Sequence, residues 1–167
     1  EDRGLFHSMA SLDQPFGSWI DFVSTNFFVD TALTTLYVSA ADSSYDDLRN
    51  RARRIVGEEG IHWLHGKGWV RRLARDSVGT KQALSDALCR QAHEVLMWFG
   101  EPESPEVNDL VARKVLGTPP DGMRRRFRDR VAPVLELTDI AVDVISDACS
   151  ALPWQRWDGE RYRIRGE

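Results

Sequence analysis

The sequence has few cysteines, no excess of basic residues and no long uninterrupted apolar run. Its 167 residues include two cysteines, Cys89 and Cys149, in unrelated contexts without a CxxC pair. We therefore expect reduced thiols in a cytoplasmic protein. Lysine and arginine total 22 against 26 acidic residues, and this net charge of −4 argues against a nucleic-acid-binding protein. No apolar run reaches the roughly 18 residues of a membrane span, so we expect no membrane segment.

The remaining composition is typical of a soluble globular protein, with 42% hydrophobic and 29% charged residues. The length suggests a single domain with room for a core. We expect an irregular N-terminal segment over residues 1–17, a helical bundle domain over 18–150 and a C-terminal tail over 151–167. Because the chain begins with Glu1 and not with methionine, we also expect it to be a piece of something longer.

The order of apolar stretches and breakers predicts a helical protein. Residues 19–41 are strongly apolar and contain no breaker, which predicts a buried helix capped by Ser18. Further helices are expected over 45–76, 81–99, 104–117 and 122–135. No segment has a convincing strand pattern. The predicted fold class is all-α, built on a helical bundle.

The helix predicted over 45–76 carries two polar residues within its apolar seam. Residues spaced alternately four and three positions apart lie along one face of this helix and form its seam. The seam consists of Leu48, Ala52, Ile55, Glu59, His62, Gly66, Trp69 and Leu73. A glutamate three residues before a histidine places both side chains on one helical face, where they can bind one metal ion. A lone charged glutamate on a buried seam costs several kcal/mol unless it is paired or bound to a metal.

The preceding helix contains a third polar residue on an apolar face, Asp30, whose neighbours at helical spacing include Phe27 and Leu33. Acids on two consecutive antiparallel helices are what a metal site between those helices needs. Carboxylates combined with one imidazole suit iron or manganese better than a thiolate-seeking metal. The alternative interpretation is a metal-free hydrogen bond between the helices, for example from Asp30 to His62.

Several stretches resemble the phenylacetate-catabolic oxygenase family, and more narrowly the catalytic subunits of its phenylacetyl-CoA epoxidases. The resemblance covers about residues 15–135 and depends on residues 17–30, the turn at 42–45, the run from Glu58 to Gly66, and residues 123–135. It implies a ferritin-like bundle whose di-iron centre uses dioxygen to epoxidise the ring of an aromatic CoA thioester. It also implies a reductase partner that supplies electrons and a non-catalytic scaffold subunit.

The resemblance also assigns roles to individual residues. Asp30 corresponds to the single-carboxylate ligand of the third bundle helix, and Glu59 and His62 correspond to the Glu-x-x-His pair of the fourth. Glu59 could then bridge two irons, with His62 on one of them. Asn26, one turn before Asp30, could orient a ligand by a hydrogen bond, and His65 could support the site one turn after His62.

The chain departs from the family in carrying only half of the expected ligands, since the first pair of bundle helices has no counterpart. We consider three sources for the other half: an upstream part of the same protein, a second polypeptide, or a second copy of this chain. The first two are favoured. In each case the chain alone is not expected to be a stable, active monomer.

A cluster of arginines lies on the helix predicted over 122–135. It could hold CoA phosphates or an acidic partner, although a solvated helix face is the default interpretation. The cluster consists of Arg124, Arg125, Arg126, Arg128 and Arg130.

Two functional hypotheses follow from these patterns. In the first, the chain is an enzyme component, a di-iron monooxygenase that epoxidises an aromatic acyl-CoA such as phenylacetyl-CoA. In the second, it is a metal-free, ferritin-like scaffold or assembly subunit of such a complex. Replacing Asp30, Glu59 or His62 distinguishes them, because only the first predicts a loss of iron.

Overall fold

The computed structural model describes residues 9–146 and 151–165 of the protein, and these ranges contain six α-helices. The helices are α1 (Trp19–Ala40), α2 (Asp46–Asp76), α3 (Val78–Met97), α4 (Pro105–Ala112), α5 (Pro120–Thr138) and α6 (Asp143–Ser146). Single 3-10 turns occur at Ala10–Leu12 and Trp154–Arg156, and two short strands, β1 (Trp157–Asp158) and β2 (Arg163–Ile164), form an antiparallel ladder. The predicted all-α bundle is confirmed.

Helix α1 is the central element of the bundle and packs against α2, α3 and α5. It begins as predicted at a serine cap, because the Asp21 N–H donates to Ser18 Oγ over 3.1 Å and satisfies a free amide of the first turn. Phe27 and Phe28 on this helix are almost completely buried. Phe28 meets Phe127 of α5 edge-on, with ring centroids 5.5 Å apart. The core therefore lies between α1, α3 and α5.

Helix α2 lies at the edge of the bundle and runs antiparallel to α1. Contacts pair early residues of α1 with late residues of α2: Trp19 with Trp69, Phe27 with Trp63 and Thr34 with Glu59. Only Ala52, Gly66 and Val70 of this 31-residue helix are fully buried. The α2 surface that faces away from α1 therefore remains open along much of its length.

Three local predictions were wrong, because contacts between different parts of the chain override the local sequence pattern. The C-terminal tail contains a strand pair, with Trp157 opposite Ile164, where no strand was expected. Helix α4 ends at Ala112 because Lys114 has a positive φ of 57° and the chain turns so that Gly117 N–H donates to Ser39 O. Helix α5 continues past Pro133 to Thr138, since burial of residues beyond the proline offsets the lost backbone hydrogen bond.

Some expectations fall on parts of the chain outside the described ranges. Cys149 lies there, whereas Cys89 is an exposed free cysteine. The domain boundaries after residues 17 and 150 stay predictions. Among the described residues, no helix combines the length and apolar character needed to cross a membrane.

Gly100, which follows α3, requires a backbone conformation that other residues rarely adopt. Its φ is +94°, and a Cβ at this position would lie 3.2 Å from Val107 Cγ2. We expect Gly100→Ala to lower the free energy of unfolding by about 1–2 kcal/mol, because an L side chain is strained at positive φ. Urea denaturation measures this loss. Gly68→Ala is the matched control: nothing lies within 4 Å of its added Cβ on α2, so it should stabilise the protein by about 0.5–1 kcal/mol. A Gly100→Ala protein as stable as wild type would contradict this account.

Candidate metal site

The α1–α2 pair brings together the three residues predicted to bind metal. One ligand atom from each of Asp30, Glu59 and His62 lies within 4.8 Å of the others. His62 Nδ1 is 3.3 Å from Glu59 Oε2 within α2. Asp30 comes from the neighbouring helix, at about the same distance from the 41–45 turn as Glu59. The spacing in sequence and the antiparallel packing together produce this cluster.

Thr34 is a fourth residue of the cluster, and sequence reasoning missed it. Its hydroxyl lies 2.8 Å from the Asp30 carbonyl oxygen and 3.3 Å from Glu59 Oε2. It sits one turn after Asp30 on α1 and therefore links the backbone of one ligand helix to the carboxylate on the other. A threonine one turn from an inward-facing acid is the signal that could have identified it.

The burial of the cluster is uneven, and the cluster opens outward. The Glu59 side chain is 13% exposed, whereas the His62 side chain is 60% exposed. The prediction that His62 lies on a buried seam was wrong for this chain alone, because α1, α3 and α5 cover only one side of α2. The open side of the cluster is consistent with a site that another helical element covers.

The electrostatics of the cluster favour a bound cation. Burial raises the pKa of Asp30 above its ordinary value, and the nearby Glu59 carboxylate raises it further. His62 and Arg130 act on this pKa in the opposite direction. Two carboxylates this close repel each other when both are charged, and a cation between them removes that repulsion. Two carboxylates and one imidazole therefore fit a divalent ion such as iron or manganese.

The two residues expected to support the ligands lie beside the cluster. Asn26 is exposed, one turn before Asp30, and within the described residues its side chain makes no hydrogen bond to Asp30, Glu59 or His62. His65 Nε2 accepts a hydrogen bond of 3.0 Å from Trp69 Nε1, which lies one turn later on α2. Both supporting roles stay predictions.

The arginines of α5 do not form one basic patch. Arg124 is 3% exposed and donates to Gly100 O and Asp121 Oδ1. Arg128 donates to Val144 O, and the Arg130 guanidinium lies 4.3 Å above the centre of the Trp63 ring. Arg125 and Arg126 are exposed. Arg130 thus belongs to the surroundings of the cluster, an assignment that required the tertiary packing of α5 on α2.

A family model described as phenylacetic acid catabolic protein matches residues 2–160, nearly the whole chain. No curated protein matches the sequence.

Proposed function

This chain belongs to the phenylacetic acid catabolic protein family, and on that premise we propose that it is a component of a multicomponent di-iron oxygenase. Membership supports a role in phenylacetate catabolism. The observation that carries the finer proposal is the convergence of Asp30, Glu59 and His62 between two antiparallel helices. In this proposal the oxygenase epoxidises the ring of an aromatic acyl-CoA such as phenylacetyl-CoA.

Each residue of the cluster has a defined part in this proposal. Asp30 and Glu59 would supply carboxylate oxygens and His62 an imidazole nitrogen to the di-iron centre. When bound, the centre supplies the activation of dioxygen. The Thr34 hydroxyl, 3.3 Å from Glu59 Oε2, would hold that carboxylate in place before the metal binds. Arg130 offsets part of the negative charge of Asp30 from the α5 side.

The proposed reaction needs partners beyond this chain. Epoxidation places one oxygen atom of dioxygen in the ring and releases the other as water, which consumes two electrons and two protons. A reductase would provide the electrons, and a related subunit would act as scaffold. The remaining metal ligands would come from a second polypeptide or from an upstream part of the same protein. The open side of the cluster, where His62 is 60% exposed, supports this arrangement.

A metal-free scaffold subunit is the second candidate function. It is favoured by the contacts of Glu59 with Thr34 and His62, both 3.3 Å away, because such contacts can satisfy a largely buried carboxylate without a metal.

An assay of dioxygen-dependent conversion of phenylacetyl-CoA by the natively isolated assembly distinguishes the oxygenase role from the scaffold role. With an electron donor present, mass spectrometry should detect a product carrying one added oxygen atom. Glu59→Ala should abolish this conversion, whereas the exposed neighbour variant Glu58→Ala should retain it. Full conversion by an assembly that carries Glu59→Ala would assign the chain to the scaffold role.

A further inference from the structure

The Arg130 side chain of α5 lies over an aromatic pair that adjoins the candidate metal site. Its guanidinium is 4.3 Å above the centre of the Trp63 ring. The Trp63 ring in turn stacks on Phe27, with centroids 5.5 Å apart and planes inclined by 22°. Phe27 precedes Asp30 by three residues on α1, and Trp63 follows Glu59 by four residues on α2. One helical turn therefore separates each ring from a carboxylate of the cluster.

The position of Arg130 depends on a ring and on charge, and not on a hydrogen bond from its Nε. This Nε is buried and has no hydrogen-bond partner within residues 9–146 and 151–165. Burying an unpaired N–H donor is unfavourable, so other interactions must hold the guanidinium in place. One is the cation–π contact with Trp63. The other is electrostatic: burial and Glu59 raise the pKa of Asp30, and His62 and Arg130 act against that rise.

The charge of Arg130 acts on the same carboxylates that a metal ion would bind. Asp30 and Glu59 repel each other when both are charged, and a cation nearby reduces that repulsion. Arg130 supplies a permanent positive charge, because a guanidinium in a protein does not lose its proton. The same charge repels a divalent ion that approaches the two carboxylates. A residue that stabilises the metal-free cluster in this way therefore weakens its affinity for metal.

We infer that Arg130 balances the charges of Asp30 and Glu59 in the metal-free protein and thereby lowers the affinity of the completed site for a divalent ion. The inference rests on the proposed function and adds to it a residue that sets how tightly the metal is held. Arg130 acts through the ligands and does not bind the metal, because a guanidinium offers no acceptor atom. The competing interpretation is a purely structural contact that holds α5 against Trp63.

The affinity of the metal-depleted, natively isolated assembly for Mn²⁺ tests the effect on metal binding. The electron paramagnetic resonance signal of free Mn²⁺ measures how much of the added ion remains unbound. Arg130→Gln should bind Mn²⁺ about 10-fold more tightly than the wild type, because the doubly charged ion no longer meets a nearby positive charge. Arg130→Lys keeps that charge and should stay within about 3-fold of the wild type. Arg125→Gln removes a charge from an exposed position on the same helix and, as the matched control, should leave the affinity unchanged.

Hydrogen–deuterium exchange of the metal-free assembly tests the charge balance without any metal. Arg130→Gln should raise the exchange rates of amides in residues 59–66 by about 10-fold, because it removes both the attraction to Asp30 and the contact with Trp63. In an Asp30→Asn background only the ring contact remains to be lost, so the same change should raise those rates by about 3-fold. Mass spectrometry measures the exchange, and circular dichroism checks helix content in every variant.

The outcomes distinguish this inference both from a structural role of Arg130 and from the proposed function. Unchanged or weaker Mn²⁺ binding by Arg130→Gln would overturn the inference in an assembly whose metal site is intact. So would equal affinities of Arg130→Lys and Arg130→Gln, or exchange effects of the same size with and without Asp30→Asn. A wild-type assembly that binds no Mn²⁺ would count against the proposed function, and the exchange rates would then decide whether Arg130 balances the charge of Asp30.

Discussion

Glu59→Ala, Asp30→Ala and His62→Ala are each expected to abolish iron loading while helix content stays largely intact. Each change removes one of the three converging ligand atoms. Loss of a residue that merely supports a ligand already weakens metal affinity about 10–100-fold, so loss of a ligand should exceed about 100-fold. Iron in the isolated assembly is measured by elemental analysis, and helix content by circular dichroism.

The adjacent acid provides the control for this series. Glu58 is the neighbour of Glu59 and is exposed, and its side chain points about 100° away from that of Glu59 around α2. Glu58→Ala should therefore load iron like the wild type. Retention of iron by all three ligand variants would contradict the site, as would a loss in Glu58→Ala equal to that in Glu59→Ala.

Phe127→Ala is expected to cause the largest loss of stability, about 3–5 kcal/mol. Phe127 is completely buried, meets Phe28 of α1 with ring centroids 5.5 Å apart, and lies 6.0 Å from Phe99. Its removal leaves a cavity where α5 meets α1 and the end of α3. A loss of this size is a large fraction of the roughly 5–15 kcal/mol that typically stabilises a domain.

Urea denaturation with linear extrapolation measures the effect of Phe127→Ala. Leu137→Ala serves as control on the same helix, because Leu137 is 69% exposed and its truncation should change stability by less than about 0.5 kcal/mol. A loss below about 1 kcal/mol for Phe127→Ala would show that this aromatic contact does not hold the core together.

The sequence was sufficient to predict the two helices that carry the candidate site. The Ser18 cap and the polar turn at 41–45 set the ends of α1 and the start of α2 to within one residue. Asp30 and Glu59 lie at about equal distances from that turn, so antiparallel packing alone brings them together. The predicted cluster therefore follows from local spacing and one short connection.

Features that depend on contacts between distant segments could not be predicted in the same way. Arg130 approaches Trp63 only because α5 packs across α2, and Glu94 reaches Ala10 across 84 positions of sequence. The exposure of His62 could not be predicted from the sequence. An apolar seam indicates that a helix face is covered, but it does not indicate whether the same chain or another chain covers it. The short β1–β2 ladder has too few residues to give an alternating pattern.

Metal content together with intact mass, measured on natively purified protein before any chelator is added, tests the central claim most directly. We expect about two irons per completed site, accompanied by a second polypeptide or a longer chain that supplies the remaining ligands. An assembly without bound metal, with Asp30, Glu59 and His62 bonded only to one another, to Thr34 or to water, would contradict it.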